Sequence, residues 1–577
     1  MKSSPYASPA ADIVVVNGQV PEGVGVVDSG TASSVAVRDG RILAVGGAEL
    51  NELVSSRTRV IDAEGGAILP GINDAHLHFV ASAMVHFGYL DIGVKAAANW
   101  GEVAAMLTSA TPAEDGWVRA HGWDQVVLGP GGAQALLHLR PGTPVVAFDQ
   151  TGHQLLANRT AMDAAGVPEQ PRVPVGGVIG RTDAGLPNGL FVDAAMEFIT
   201  TAMPQVPPQT LRDAVLKYQT LLHSQGITSL TEPGLGPGGA SLLNGTCTVP
   251  SLELLGSLAE SGELSLRINA LLLFAGTGGI SAQAVGEGLA SGLHHLYSGR
   301  GIDSQLLRIA GVKVFADGTP RSGTAWMSEP YGEQCSHGSM VVAGANDQER
   351  IAELNEIVRL IHDAGLQAGI HATGDAASEA AVDAIIAAQR ADGRDARHYI
   401  IHGAFRSNES LPRLAAHGVG YSTNPSIRAA GGDVVKRIMG EERFARHQPL
   451  GSAFRAGVHL NIASDSPVTD TDWRKTMTAA MTRATVHSEG PPNDPEGITS
   501  GQALLAMTSL PAWQDHADHY KGRLLPGMVA DLCVLDAAWP ADAVELAERR
   551  VLWTLAGGRV VHDPSALAAH VNYTSVP

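Results

Sequence analysis

The chain has 577 residues with a formal net charge of −19, 44% hydrophobic and 17% charged residues. That is enough apolar content for a large core, and nothing in it is fibrous or disordered in composition. The acidic balance excludes nucleic acid and anionic membranes as general partners, because both select a basic surface.

Cys247, Cys335 and Cys533 are too few and too scattered for a disulfide framework or a thiolate zinc site, which points to a reducing compartment. The opening stretch MKSSPYASPAADIVVV carries one Lys and an apolar run of four, short of a signal peptide. No run approaches the ~18 apolar residues of a membrane helix. The expectation is a soluble, cytoplasmic protein.

In chain order, DIVVVNGQV, SSVAVRDGRILAVGG and RTRVIDA read as strands, with Asp39-Gly40 as a hairpin turn. The far end repeats this style in MVADLCVLD and RVLWTLAGGRVVHD, with Gly557-Gly558 at the turn. Residues 1–66 and 518–577 are therefore assigned to a composite β-sandwich built from both chain ends, although periodicity alone leaves two separate flanking sheets open.

Between the ends, short apolar runs alternate with helix-period segments. The expected strands are 67–74, 227–233, 267–274, 308–315, 366–372, 398–404, 418–424 and 459–465. One connecting segment places Ile351, Leu354, Ile357, Val358 and Ile361 on a single helical face, with Gly365 suited to its C-terminal cap. Eight strands alternating with helices make an α/β fold, and eight is the number that closes a (β/α)8 TIM barrel, here 67–90 plus 206–517. The stretch from Asp74 to Ile227 is far longer than an ordinary crossover. Residues 91–205 therefore read as an inserted subdomain over the barrel mouth, where barrels keep their active sites.

The strand ends concentrate the chemistry. His76 and His78 share one direction on the first strand, so both imidazoles can reach one ion. Lys313, His371, His402 and Asp465 follow at the carboxyl ends of later strands. Each alone has an ordinary explanation, but five metal-type ligands and a lysine at successive strand ends are hard to dismiss. Imidazole and carboxylate without thiolate suit Zn²⁺ or another first-row divalent ion. A protonated lysine has no lone pair for a metal. Lys313 is thus a CO₂-derived carbamate bridging two ions, a salt-bridge partner, or a substrate-binding ammonium.

His76-Leu77-His78, with GVKVFADGTPRSGTA, HATGDAA, IIHGA, ASDSPV, GWDQ, TGHQLLANRTA, GITSLTEPG and GRLLPGMVADLCVLD, resembles the metal-dependent amidohydrolase superfamily. The likeness is to the branch containing N-substituted formamide deformylase (amidohydrolase family 3), and it covers nearly the whole chain. It implies a binuclear metal centre in which His76, His78 and Asp465 hold one ion and His371 and His402 a second, with carboxylated Lys313 between them. It also implies Asp465 as the catalytic proton carrier for a metal-activated hydroxide. One departure is Ile401, where relatives commonly have an acidic residue.

Trp123 and His153 in the insertion, and Glu232 at the end of the second strand, are candidate substrate contacts; for the first two a buried or surface role is an equal alternative, and Glu232 could equally cap a turn. Asp317 and Asp375 are candidates for orienting the ligands, with cap or turn roles as alternatives. GLGPGG (234–239) reads as a loop, Cys335 as a weak nucleophile candidate, and His294, His295, His516 and His519 as surface residues.

The expected function is hydrolysis of a C–N amide-type bond in an N-substituted formamide or related small amide. Alternatives are a hydrolytic deaminase or cyclic amide hydrolase, and a non-catalytic binding relative. Lys313 weighs against the deaminase, and the intact ligand set against the non-catalytic relative. The expected cofactor is one or two divalent ions per chain. The expected partner is a small-molecule amide, with no nucleic acid and no membrane; a homodimer is left open.

Overall fold

Eight short apolar runs form one parallel sheet in the computed structural model, which describes residues 10–563 apart from 26–31, 94, 175–176, 333–335, 408 and 492. The strands are β1 (Ile72–Asp74), β2 (Ile227–Leu235), β3 (Arg267–Leu272), β4 (Leu307–Phe315), β5 (Gln367–Ala372), β6 (Tyr399–His402), β7 (Gly420–Thr423) and β8 (Leu460–Ile462). Their order across the sheet is their order along the chain, and every ladder is parallel. Parallel neighbours need crossovers, and helices fill them. The helix Asp347–Asp363 shows why: Asn346 accepts from the Glu349 amide at its start, and Leu354, Ile357, Val358 and Ile361 bury one face. The fold is a (β/α)8 barrel, as the strand count predicts.

Between β8 and β1 the seam is closed at the mouth by residues just past the strands. The Asp465 amide donates to the His76 carbonyl (2.8 Å), and the His78 amide donates to the Ser466 carbonyl (2.9 Å). The closing bonds therefore run through the candidate ligands themselves.

The expected strand over 67–74 is two strands. Ile68–Pro70 pairs with Leu532–Leu535 in a terminal sheet, and Ile72–Asp74 pairs with β2 in the barrel. Gly71 is the junction, and a Cβ there would lie 2.0 Å from Thr228 Oγ1, so only glycine lets the chain change sheets at this point.

The chain ends form two four-stranded sheets. One holds Ile13–Val16, Ser34–Arg38, Arg41–Gly46 and Arg59–Asp62; the other holds Ile68–Pro70, Leu532–Leu535, Val551–Ala556 and Arg559–His562. Ile13, Val15, Val35, Ile68, Leu532 and Val534 share one apolar cluster between them, the composite sandwich the patterning predicts.

The long first crossover carries a six-stranded mixed sheet running from Leu90–Asp91 to Pro187–Asp193, with apolar clusters of its own. Among the described residues, no helix is long and apolar enough to cross a membrane.

Candidate metal centre

The side chains expected at the strand ends meet in one cavity of about 40 Å³, lined by His76, His78, Lys313, His371, His402 and Asp465. All are buried except half-buried His402. Ring centroids lie 5.3 Å apart for His76 and His78, 5.2 Å for His76 and His402, and 4.6 Å for His371 and His402. Asp465 Oδ1 is 3.1 Å from His76 Nε2 and 3.5 Å from His78 Nε2. His76, His402 and Asp465 each offer a ligand atom within 4.8 Å of the others.

The donor set fits a divalent ion. Both His76 nitrogens are buried without a well-aligned hydrogen-bond partner, which leaves the ring a lone pair to give to an ion. Asn424 Oδ1 is 2.7 Å from His402 Nδ1, which leaves Nε2 as the lone-pair face. His371 is tied differently: its Nε2 is 3.0 Å from the Gly318 carbonyl, so Nδ1 is the free nitrogen. His402 (φ 67°) and Asp465 (φ 58°) both adopt left-handed backbone that non-glycine residues avoid, and such strain gathers at functional sites.

Electrostatics agree with neutral imidazoles around an anion. Burial, then the Lys313 charge, pushes His76 down to about 3. Burial also pushes His402 down to about 3. Burial alone would raise the Asp465 carboxyl, but His76, His78 and His402 outweigh it and hold Asp465 well below the usual carboxylate range. Lys313 makes no hydrogen bond or ion pair with a described residue; its Nζ sits 4.8 Å from the Phe315 ring centre, and burial pushes it down to about 7.

The other expected site residues divide. His153 lines the cavity from the insertion. Trp123 does not: it is buried in the core of the inserted sheet, where Nε1 donates to the Ala147 carbonyl at 2.8 Å and the ring packs on Trp100. Glu232 is not a cavity-wall residue either. Its Oε2 accepts from the Val80 amide (3.1 Å) at the start of the helix Phe79–Phe87, and Oε1 lies 3.7 Å behind His78 Nδ1. It steadies the His78 segment, and burial raises its carboxyl to about 8.

Asp317 stands 3.9 Å from His371 and accepts from the amides of Thr373, Gly374 and Trp326, fixing the turn after β5. Asp375 does not line the cavity: at the first turn of the helix Asp375–Asp392 it accepts from the Ser328 amide (2.8 Å), tying a distant loop to the helix instead of orienting a ligand. Ile401 packs with Leu271 and Tyr399, so an acidic residue there would be buried among apolar neighbours. His516 is half-buried, with Nε2 3.2 Å from the Ala396 carbonyl, instead of at the surface. Cys335 lies outside the described residues.

Sequence reasoning missed three polar supports. Asn424 closes β7 and holds His402; its place just after a barrel strand was the available signal. Asp74 accepts from the His76 amide (3.2 Å) and the Ser464 amide (3.2 Å), bracing both sides of the seam. Asp193 pairs with His153, 2.6 Å from its Nδ1.

Residues 59–562 match the amidohydrolase family, and the chain belongs to it. The chain is 28% identical to Protein LONG AFTER FAR-RED 3 of Arabidopsis thaliana, over 97% of this chain and 93% of that protein. It is 26% identical to the N-substituted formamide deformylase of Arthrobacter pascens, over 95% of this chain and 97% of that one. An uncharacterized metal-dependent hydrolase from Pyrococcus horikoshii OT3 shares the fold, with a TM-score of 0.70 at 20% identity, covering 95% of this chain and 99% of that one.

Proposed function

We propose that the protein hydrolyses a C–N amide-type bond in a small molecule, with an N-substituted formamide or a related small amide as substrate. The observation that carries this reading is the convergence of three buried histidines, half-buried His402, an ionised aspartate and an unpaired lysine on one small cavity. The likeness to a formamide deformylase along nearly the whole chain supports the substrate class.

Imidazole and carboxylate donors suit zinc. His76, His78 and Asp465 would hold one ion, and His371, His402 and a carbamate on Lys313 would hold a second. When bound, such an ion polarises a carbonyl and brings the pKa of water down to roughly 7. The chain's own contribution is proton traffic and charge. The Asp465 carboxylate accepts the proton of the attacking water and hands it to the departing nitrogen. The Lys313 amine, with no carboxylate in ion-pair contact among the described residues, would add to CO₂: an N–C bond forms as one C–O π bond opens, one proton leaves, and the resulting carbamate shares one negative charge over two oxygens.

The net charge of −19 opposes a polyanionic partner, and the buried free thiols of Cys247 and Cys533 suit a reducing, cytoplasmic setting.

The test is a panel of formamides, N-acyl amino acids, cyclic amides and aminopurine-type rings on metal-loaded protein, with product analysis. A carboxylate plus an amine is the expected outcome. Release of ammonia from a ring, with no amide cleaved, transfers the reading to the deaminase.

A further inference from the structure

The cavity has a second polar wall that the metal ligands do not use. His153 immediately precedes the strand Gln154–Ala157, and Asp193 ends the strand Pro187–Asp193; the two strands are antiparallel, with Gln154 opposite Val192. The pairing brings the two residues together: the Asp193 amide donates to the His153 carbonyl at 2.9 Å, and Asp193 Oδ1 lies 2.6 Å from His153 Nδ1. Asp193 holds this position at φ 48° and ψ −126°, a conformation costly for any residue with a side chain. Such strain persists where surrounding structure over-determines it, and here it fixes one ring nitrogen of His153.

The other nitrogen, Nε2, is left without a described partner, and the side chain is 28% exposed. His153 and Asp193 line both the ligand cavity and an adjoining cavity of about 230 Å³, so they stand at the waist between the two. Burial pulls the His153 imidazole down, but Asp193, then Asp149 and Asp465, outweigh that and carry it up to about 9. His78 and His371 are the neighbouring imidazoles whose charge would oppose its own. The 2.6 Å ion pair with Asp193 favours the protonated ring, so Nε2 carries an N–H at the cavity wall.

We propose that His153 donates from Nε2 to the carbonyl oxygen of the scissile acyl group and stabilises the negative charge that grows there, with Asp193 as its positioning residue. This rests on the amide-hydrolase reading. A preorganised donor of this kind works because its orientation is fixed before the reaction begins. The waist location leaves the wider cavity for the N-substituent.

The test uses metal-loaded protein and the variants His153→Gln and Asp193→Asn. His153→Gln is expected to lower kcat/KM about 10²–10³-fold, with kcat carrying most of the loss, while bound metal and Tm hold. Asp193→Asn is expected to lower kcat by a smaller factor while KM, bound metal and Tm hold. Independently of turnover, calorimetry with formate, a carboxylate probe for the acyl oxygen, is expected to show weaker binding in His153→Gln by at least about tenfold, one full step of 1.4 kcal/mol. Wild-type kcat/KM and formate affinity in His153→Gln overturn the proposal, as does metal loss in proportion to activity. If the unmutated protein cleaves no amide, the amide reading fails while the formate comparison still judges His153. Equal formate affinity in both proteins, or none in the unmutated one, then overturns it.

Discussion

Two lysines are buried in this barrel, one near each end, and their surroundings are opposite. Lys521 (4% exposed) lies at the floor, where Nζ donates to Asp515 Oδ2 at 2.8 Å and to Ser229 Oγ. Asp515 also accepts from Asn73 Nδ2 (2.8 Å) and Thr231 Oγ1 (3.1 Å), so the pair staples the end of the helix Ser509–Gln514 to β1 and β2. Lys313 (1% exposed) lies at the mouth with an aromatic ring beside it and no carboxylate in ion-pair contact among the described residues.

Strand β6 repeats the contrast within four residues. His398, just before it, accepts from the Ala368 amide at Nδ1 (2.8 Å) and meets His362 at Nε2 (2.9 Å), so both nitrogens are engaged by protein. His402, at its other end, has one nitrogen held and one left open. A buried polar group satisfied by the protein belongs to the fold, and one left unsatisfied marks a place reserved for something else.

Breaking the mouth should destroy activity and spare the fold. His76→Ala and Lys313→Ala should each lose at least one metal ion and lower kcat/KM by roughly 10³-fold or more, while far-UV circular dichroism stays native. The mass of Lys313 in the metal-loaded protein should include one added CO₂, and a short carboxylic acid should partly restore the alanine variant. An active, metal-loaded protein with an unmodified Lys313 amine would erase the distinction between the two lysines.

Breaking the floor should do the reverse. Lys521→Met leaves Asp515 charged, buried and unpaired, at a cost of about 3–5 kcal/mol in denaturant unfolding. Metal bound per folded chain should be unchanged.

The floor histidine also predicts a pH response. Burial, then the His362 charge, pushes His398 down to about 3, so the folded protein keeps it neutral while the unfolded chain protonates it near ~6.5. The unfolded state therefore binds more protons below that pH. Its contribution is intact above ~6.5 and declines as pH falls toward 3, by at most about 1.4 kcal/mol per pH unit. Unfolding of His398→Asn against wild type across this range should show a shallower acid slope in the variant.

The smallest effect separates the insertion's core from its cavity wall. Trp123→Phe should cost about 1–2 kcal/mol through the lost bond to Ala147 and leave KM unchanged.

The barrel and its cluster of candidate ligands were legible because two signals coincide at several strand ends: a short apolar run stops, and a residue with metal chemistry stands at or beside its end. His371 in LQAGIHA and Asp465 in HLNIASD are such cases. Trp123 carried no such marker. In an insertion, an indole beside glycine and aspartate reads the same whether it faces a ligand or fills a core. Asp193 was illegible for another reason: it reaches His153 through antiparallel pairing of distant strands, and spacing along the chain does not encode that meeting. The split at Gly71 was hidden because one apolar run serves two sheets, and hydrophobicity alone does not say where a strand changes partner.

That change of partner ties the terminal sheet to the ligands mechanically. Ile68–Pro70 is held by Leu532–Leu535, and the same backbone continues through a single residue into β1 and on to His76 and His78, with no loop to absorb slack. A tug on the sandwich is delivered to the imidazoles almost undamped. Shortening the chain before Leu532 would therefore release the anchor of the candidate ligand pair His76 and His78, more than 450 positions earlier, and the loss is expected to register first as weaker metal retention.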